Sequence, residues 1–213
     1  MKLTNYIIFH DKESLKIFIV NNPHFDTNVF KFICVGNPAS YDGCEIIRAS
    51  DYENNIEHYP SLLAFTAWYL IAKNNICKTE FVGMFEYDVV FKNYNGIGIS
   101  SLNPIFGFNQ RKLPDSMYLN CLPEFKKLLA PAELKIANDQ PFWNTTSNFI
   151  MPMEFLTQFV DWYMQFVPRI LELDKHSHFH ERAVNVFAAN EGYENITIDL
   201  IEHKQLCSHG VQL

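Results

Sequence analysis

Thr79–Phe91 reads TEFVGMFEYDVVF. Phe81, Val82, Met84, Phe85, Val89 and Val90 make it an almost unbroken apolar run. A short run of this kind fits a strand buried on both faces, as in the middle of a parallel sheet. Two acids, Glu86 and Asp88, fall near its end. Side chains at i and i+2 of a strand share a face, so the two carboxylates are expected to point the same way. Carboxylates on a central strand are costly unless a cation or hydrogen bonds compensate them. Ligands of open α/β sheets bind just beyond the carboxyl ends of the strands. The run therefore predicts a divalent cation and an anionic ligand held at this end.

Working outward, Pro60–Asn74 (PSLLAFTAWYLIAKN) precedes the strand and is apolar nearly all round. It is expected to be a deeply buried helix with Pro in its first turn and Lys73 at its carboxyl end. Further upstream, NYIIFH (5–10), FKFICV (30–35) and CEIIR (44–48) read as strands. Leu15, Phe18 and Ile19 sit at helical spacing in 11–21, with Asp11 as cap and NNP as stop. Downstream, 92–114 is rich in Gly, Asn and Pro and reads as a loop with at most one short strand. A short helix is expected over 116–127 and a loop entering a strand over 139–150. The longest helix is expected over 153–173, kinked at Pro168. HERAVNVFAAN (180–190) is another helix, ended by Gly192, and NITIDLI (195–201) a last strand. Strands alternating with helices predict the α/β class: one domain with a central, mostly parallel sheet flanked by helices.

The chain has 213 residues, 48% hydrophobic and 19% charged, enough to build a proper core. Its net charge of −7, without a long basic run, argues against nucleic acid or an anionic membrane as the main partner. The longest apolar run, 61–73, is too short to span a bilayer. The amino-terminal stretch lacks the features of a signal peptide. Cys34, Cys44, Cys77, Cys121 and Cys207 are odd in number and form no CxxC pair, so reduced thiols in the cytoplasm are expected. GxxxxGK, strand-borne GxGxxG, HExxH and GxSxG are all missing. P-loop, dinucleotide-binding, zincin and serine-hydrolase readings lose support accordingly.

Glu86 and Asp88 supply hard oxygen ligands of the kind that suit Mg²⁺ or Mn²⁺. The plain alternative is a solvated strand end, or carboxylates that cap backbone amides. The alternating histidines His176, His178 and His180 lack structural-zinc spacing and read as an exposed polar loop.

The pattern FVGMFEYDVVF resembles the Asp-x-Asp segment of GT-A-fold nucleotide-sugar glycosyltransferases, with Glu86 in place of the first Asp. Asn148-Phe-Ile-Met-Pro, the helix carrying Asp161-Trp162, and His180-Glu181-Arg182 are similar to the second half of bacterial and viral capsule-type transferases. Tyr59 and AWYLIAKN (67–74) are similar to their first half. The resemblance spans roughly residues 5–209, and its overall order looks like the amino-terminal domain of a chlorella-virus glycosyltransferase.

The resemblance implies a GT-A-like domain over 1–213, with a nucleotide-binding half about 1–95 and an acceptor-side half about 96–213. It implies transfer of a hexose or deoxyhexose from a UDP-sugar to a hydroxyl of a glycan or glycoprotein acceptor. Mn²⁺ or Mg²⁺ would bridge the acid pair and the diphosphate, with Asp88 as the key catalytic ligand and Glu86 a helper that reaches the ion directly or through water or the sugar. It further implies a histidine completing the metal shell, where His209 matches and His203 stands in reserve, and an acid near the acceptor, where Glu181 matches. Glu181 also reads as an ordinary helix-start carboxylate. A viral relative would place the chain in host cytoplasm, and a longer chain would carry further domains. In this topology His10, Gly36 and Asn37 face the crevice as uridine or ribose contacts, or serve plain strand-to-loop chemistry. Lys73 meets phosphate or only caps its helix. Trp143 and Asn144 meet a sugar or belong to the core. A metal-dependent nucleotidyltransferase, a sugar-nucleotide hydrolase and a non-catalytic glycan-binding domain are the competing readings.

Overall fold

In a computed structural model, the described residues are 1–26, 29–37, 44–92, 98–108, 110–112, 116–132, 142–144, 146–173 and 178–203. The elements are β1 (Leu3–Phe9), α1 (Lys12–Asn21), β2 (Phe30–Cys34), β3 (Ile46–Arg48), α2 (Phe65–Lys73), β4 (Phe81–Glu86) and β5 (Val89–Phe91). They continue with β6 (Pro104–Gly107), β7 (Gln110–Lys112), α3 (Ser116–Leu129), β8 (Phe142–Asn144) and β9 (Phe149–Pro152). The last are α4 (Met153–Met164), α5 (Val167–Ile170), α6 (Phe179–Glu191), β10 (Glu194–Thr197) and β11 (Ile201–His203).

Seven strands form the main sheet in the order β10-β6-β9-β4-β1-β2-β3. β1 pairs in parallel with β2 and with β4, and β9 runs antiparallel to both β4 and β6. One strand thus opposes an otherwise parallel sheet, which is the α/β architecture the sequence predicts. Alternation along the strands sorts two apolar layers. Tyr6 and Ile8 of β1 and Val82 and Met84 of β4 join α2, α4 and α6 in one cluster, with Phe65, Trp68, Phe159 and Val184. Ile7, Phe9, Phe81 and Phe85 face the other way, onto Leu15 and Phe18 of α1 and Val89 and Ile201 of the small β5–β11 ribbon. Phe159 touches the rings of Phe65 and Trp68 (centroids 6.2 and 5.9 Å) and ties α4 to α2. Truncating a buried Phe of this kind costs about 3–5 kcal/mol.

α1 starts as expected. The Asp11 carboxylate accepts from the Ser14 amide (2.8 Å), and the Asp11 amide donates to Ser14 Oγ (2.9 Å), a reciprocal cap at the first turn. α6 stops at Gly192, whose φ of +74° is the left-handed value glycine accepts without strain.

Several expectations need correction. The 79–91 run is not one strand: Tyr87 and Asp88 form a turn, and Val89–Phe91 leaves the main sheet to pair with Ile201–His203. The ladder runs out there, since β9 reaches β4 only as far as Met84. Glu86 ends β4 and Asp88 lies in the turn, so the two do not share a strand face. The 92–114 segment holds two strands, and β6 lies inside the main sheet between β9 and β10. Helix 60–74 is a 3-10 turn at Pro60–Leu62 followed by α2, separated at Leu63, where φ is +49°. The helix expected over 153–173 divides after Met164, because Pro168 has no amide for the Met164 carbonyl; Pro168 instead takes the first turn of α5. α3 is consequently longer than α4.

Candidate active site at the carboxyl end of the sheet

The ends of β1, β2 and β4 and the start of β9 meet at one edge of the sheet. On the β1–β2 side, a Cβ placed on Gly36 would stand 2.5 Å from the carbonyl oxygen of His10, so only glycine lets these loops touch. The His10 ring meets the Tyr87 ring edge-on at 5.7 Å. His10, Gly36 and, next to it, Asn37 are thereby brought beside the turn that follows β4. The sequence expects these residues at a ligand crevice; the structure brings them to the same end of the sheet as Glu86.

On the β9 side a hydrogen-bonded chain runs from strand to helix. The Glu86 amide donates to Asn148 Oδ1 at 2.8 Å, replacing the partner strand where the ladder has ended. Beside Asn148, Ser147 Oγ lies 3.0 Å from His180 Nε2 and donates to Glu181 Oε1, also at 3.0 Å. Glu181 Oε1 lies 3.2 Å from His178 Nδ1, and Glu181 Oε2 accepts from Arg182 Nη1. Arg182 Nη1 also donates to the His178 carbonyl at 3.4 Å. One turn on, Asn185 Nδ2 donates to the Glu181 carbonyl (2.8 Å) and to the Asn144 carbonyl (3.0 Å), which fixes β8 to α6.

Burial differs sharply within this cluster. Ser147, His180, Glu181 and Arg182 are all buried, whereas the His178 side chain is 46% exposed. Burial among the rings of Trp68 and Phe65 pushes His180 down to about 3, so it is a neutral hydrogen-bonding group. Since the Ser147 proton goes to Glu181, His180 must donate from Nε2 to Ser147 Oγ, which fixes its tautomer. His178 moves the opposite way: its hydrogen bond to Glu181 raises it, and the charges of Glu181 and Glu86 add to the rise against burial and Arg182. Glu86 follows Val82 and Met84 at alternate positions of β4, and so belongs to the α6 side of the sheet.

The other sequence candidates fall as follows. Asp88 is buried, in the turn. Asn144 is buried over Gly107, where a Cβ would stand 1.9 Å from the Asn144 amide. Lys73 ion-pairs with Asp161 of α4. It closes α2, whose chain continues to the amino-terminal end of β4, about 17 Å of strand from Glu86. His209 lies outside the described residues. Of the expected exposed loop, His176 lies outside the described residues, His178 is exposed at the start of α6, and His180 is corrected, since it is in the core. Sequence reasoning passed over Ser147, Asn148 and His178 as site residues. The signal was the polar run Asn144–Asn148 ahead of an apolar strand, which makes sense only if its side chains are bonded.

Among the described residues no group of three or more His, Cys, Asp or Glu stands together as a metal site. Glu86 and Asp88 nonetheless offer hard oxygen donors at a ligand edge. Each is a donor of the type that suits Mg²⁺ or Mn²⁺, which draw their remaining ligands from water and phosphate, rather than tetrahedral zinc.

Comparison with known proteins returns no matching family model and no matching curated protein. Among solved structures, the apo form of WbbM, a bifunctional glycosyltransferase, matches with a TM-score of 0.61 at 13% identity. The match covers 94% of this chain and 45% of that one, so this chain spans less than half the length of WbbM. At this identity the likeness establishes the fold: nearly the whole chain takes an α/β architecture found in part of a glycosyltransferase. It carries nothing on a chlorella-virus relationship.

Proposed function

We propose that this chain is a glycosyltransferase that moves a hexose or deoxyhexose from a UDP-sugar to a hydroxyl of a glycan or glycoprotein acceptor. The observation that carries the reading is the polar constellation of Glu86, Ser147, His178, Glu181 and Arg182 at the ligand edge of a sheet shared with part of a glycosyltransferase. The nucleotide lies on the β1–β2 side, within residues 1–95, against His10, Gly36 and Asn37. The acceptor lies on the β9–α6 side, within residues 96–213. Glu86 and Asp88, with His209 as a further ligand, would hold Mn²⁺ or Mg²⁺. A bound ion would supply charge neutralisation to the departing diphosphate. In an inverting transfer the acceptor proton passes to a base, and Glu181 and His178 stand on the α6 side for that role; in a retaining transfer Glu181 only orients groups. A cytoplasmic setting is part of this reading, in keeping with the free thiols of Cys44 and Cys77. Among the described residues no helix is long and apolar enough to cross a membrane.

A thermal-shift screen of UDP-sugars with and without Mn²⁺, followed by assay of UDP release, tests this. A donor at 100 times its Kd stabilises the fold by about 2.7 kcal/mol. Glu86→Gln is expected to abolish the Mn²⁺-dependent part of the shift. Absence of any shift or UDP release across the panel overturns the proposal, and release of pyrophosphate instead of UDP points to nucleotidyl transfer.

A further inference from the structure

The two candidate bases on α6 differ in what they have left to offer. Glu181 accepts from Ser147 Oγ and His178 Nδ1 on one oxygen and from Arg182 on the other, and it is 4% exposed. An acceptor sugar has no open approach to a carboxylate so enclosed. His178 has one nitrogen committed to Glu181 and a side chain that is 46% exposed. We propose that His178 Nε2 is the proton acceptor for the incoming hydroxyl, and that Glu181 is a positioning residue that fixes the His178 tautomer from behind. The inference rests on the glycosyltransferase reading.

The geometry supplies each requirement of such a base. Glu181 Oε1 accepts from Nδ1–H, which leaves the lone pair of the neutral ring on Nε2. A carboxylate behind an imidazole also stabilises the imidazolium that forms, the logic common to oriented histidine bases. Ser147, Arg182 and Asn185 fix Glu181 and its backbone, and Ser147 is in turn held by neutral His180, so the dyad stands on a rigid buried base. Among the described residues, the charged and titratable groups that act on His178 are Glu181 and Arg182 on its own helix, His180, and Glu86 from β4.

In the step itself, the acceptor oxygen forms a bond to the anomeric carbon. The bond from that carbon to the phosphate oxygen breaks, and its electron pair leaves with UDP. The hydroxyl proton moves to His178 Nε2, while Nδ1–H stays on Glu181. Solvent removes the proton afterwards through the exposed face of the ring. No redox partner is needed.

The test uses the whole chain with Mn²⁺ and whichever UDP-sugar of the panel the parent turns over. His178→Gln is expected to lower kcat by about 10²–10⁴, the usual worth of a general base, with KM for the UDP-sugar within threefold. Nitrogen-15 imidazole spectra above the titration range are expected to show Nδ1 protonated in the parent, and a mixture of tautomers in Glu181→Gln. If the parent turns over a donor and His178→Gln retains a third or more of its kcat, the inference falls and the glycosyltransferase reading stands. Nε2 protonated in the neutral parent ring also overturns it, whatever the kinetics. A parent inactive on every donor removes the reading of function, and this inference with it.

Discussion

Arg182→Met is the substitution whose consequence follows most directly from the structure. Arg182 is 2% exposed and Glu181 4%, and the two side chains bond to each other inside the α6 layer. Removing the guanidinium leaves Glu181 with only the Ser147 hydroxyl and the His178 imidazole among the partners named above. Orphaning one member of a buried ion pair costs about 3–5 kcal/mol. At about 2–4 °C per kcal/mol for a domain of this size, Tm should fall by about 6–20 °C. With a urea m-value of about 2 kcal/mol/M, the midpoint should fall by about 1.5–2.5 M. Tryptophan fluorescence and circular dichroism in urea measure it, with Trp68 reporting on the layer that holds the pair. The double variant Arg182→Met/Glu181→Gln should be less destabilised than Arg182→Met alone, because the uncompensated charge is gone, with a coupling of about 0.5–3 kcal/mol. A single-variant loss below about 1 kcal/mol, or a double variant equal to the sum of the singles, would show that the pair does not hold this layer together.

Three further outcomes are expected. Asp11→Ala should cost about 1 kcal/mol in urea unfolding. The bonds from the Ser14 amide and hydroxyl hold the Asp11 carboxyl below its usual range, so the cap contributes fully above that range and is lost as pH falls through the lowered value. His180 takes up a proton near pH 6.5 when unfolded but only near 3 when folded, so this group makes the fold less stable in acid, by about 2 kcal/mol between pH 7.5 and 5. His178 works the other way, its contribution being present below about 6.5 and fading as pH rises through its raised value. Urea unfolding at several pH values should therefore show a shallower acid loss for His180→Phe, and a steeper one for His178→Gln. Gly107→Ala should cost about 1–3 kcal/mol by driving the Asn144 amide from its slot, and Gly107→Ala/Asn144→Ala should recover part of that loss.

Much of the fold is legible in the residues. The β1–α1–β2 opening, the buried α2 and the cap at Asp11 follow from local pattern, because each is decided by neighbours a few residues apart. What escaped is set by partners distant in sequence. Val89–Phe91 reads as a continuation of β4 until Ile201–His203 draws it into another sheet. β6 is hidden in a stretch rich in Gly and Pro, and its place comes from β9 and β10. The candidate site divides in the same way. His10, Gly36 and Glu86 sit at strand ends that the topology brings together, and their position follows from the rule for open sheets. The role of His178 depends on burial, since alternating histidines do not reveal that one enters the core and another stays at the rim.

The single reversed strand, β9, has a consequence for how this architecture can vary. Its neighbours β4 and β6 deliver their departing ends to the carboxyl edge and continue there into β5 and β7. β9 delivers its arriving end: Phe149 stands beside Met84 at that edge, while Pro152 stands beside Phe81 at the far one and leads straight into α4. Chain added ahead of Ser147 therefore extends that edge of the sheet while the junction of β9 with α4 stays at the other end. On the proposed reading, recognition of a new acceptor can be grafted there while the scaffold behind it keeps its register.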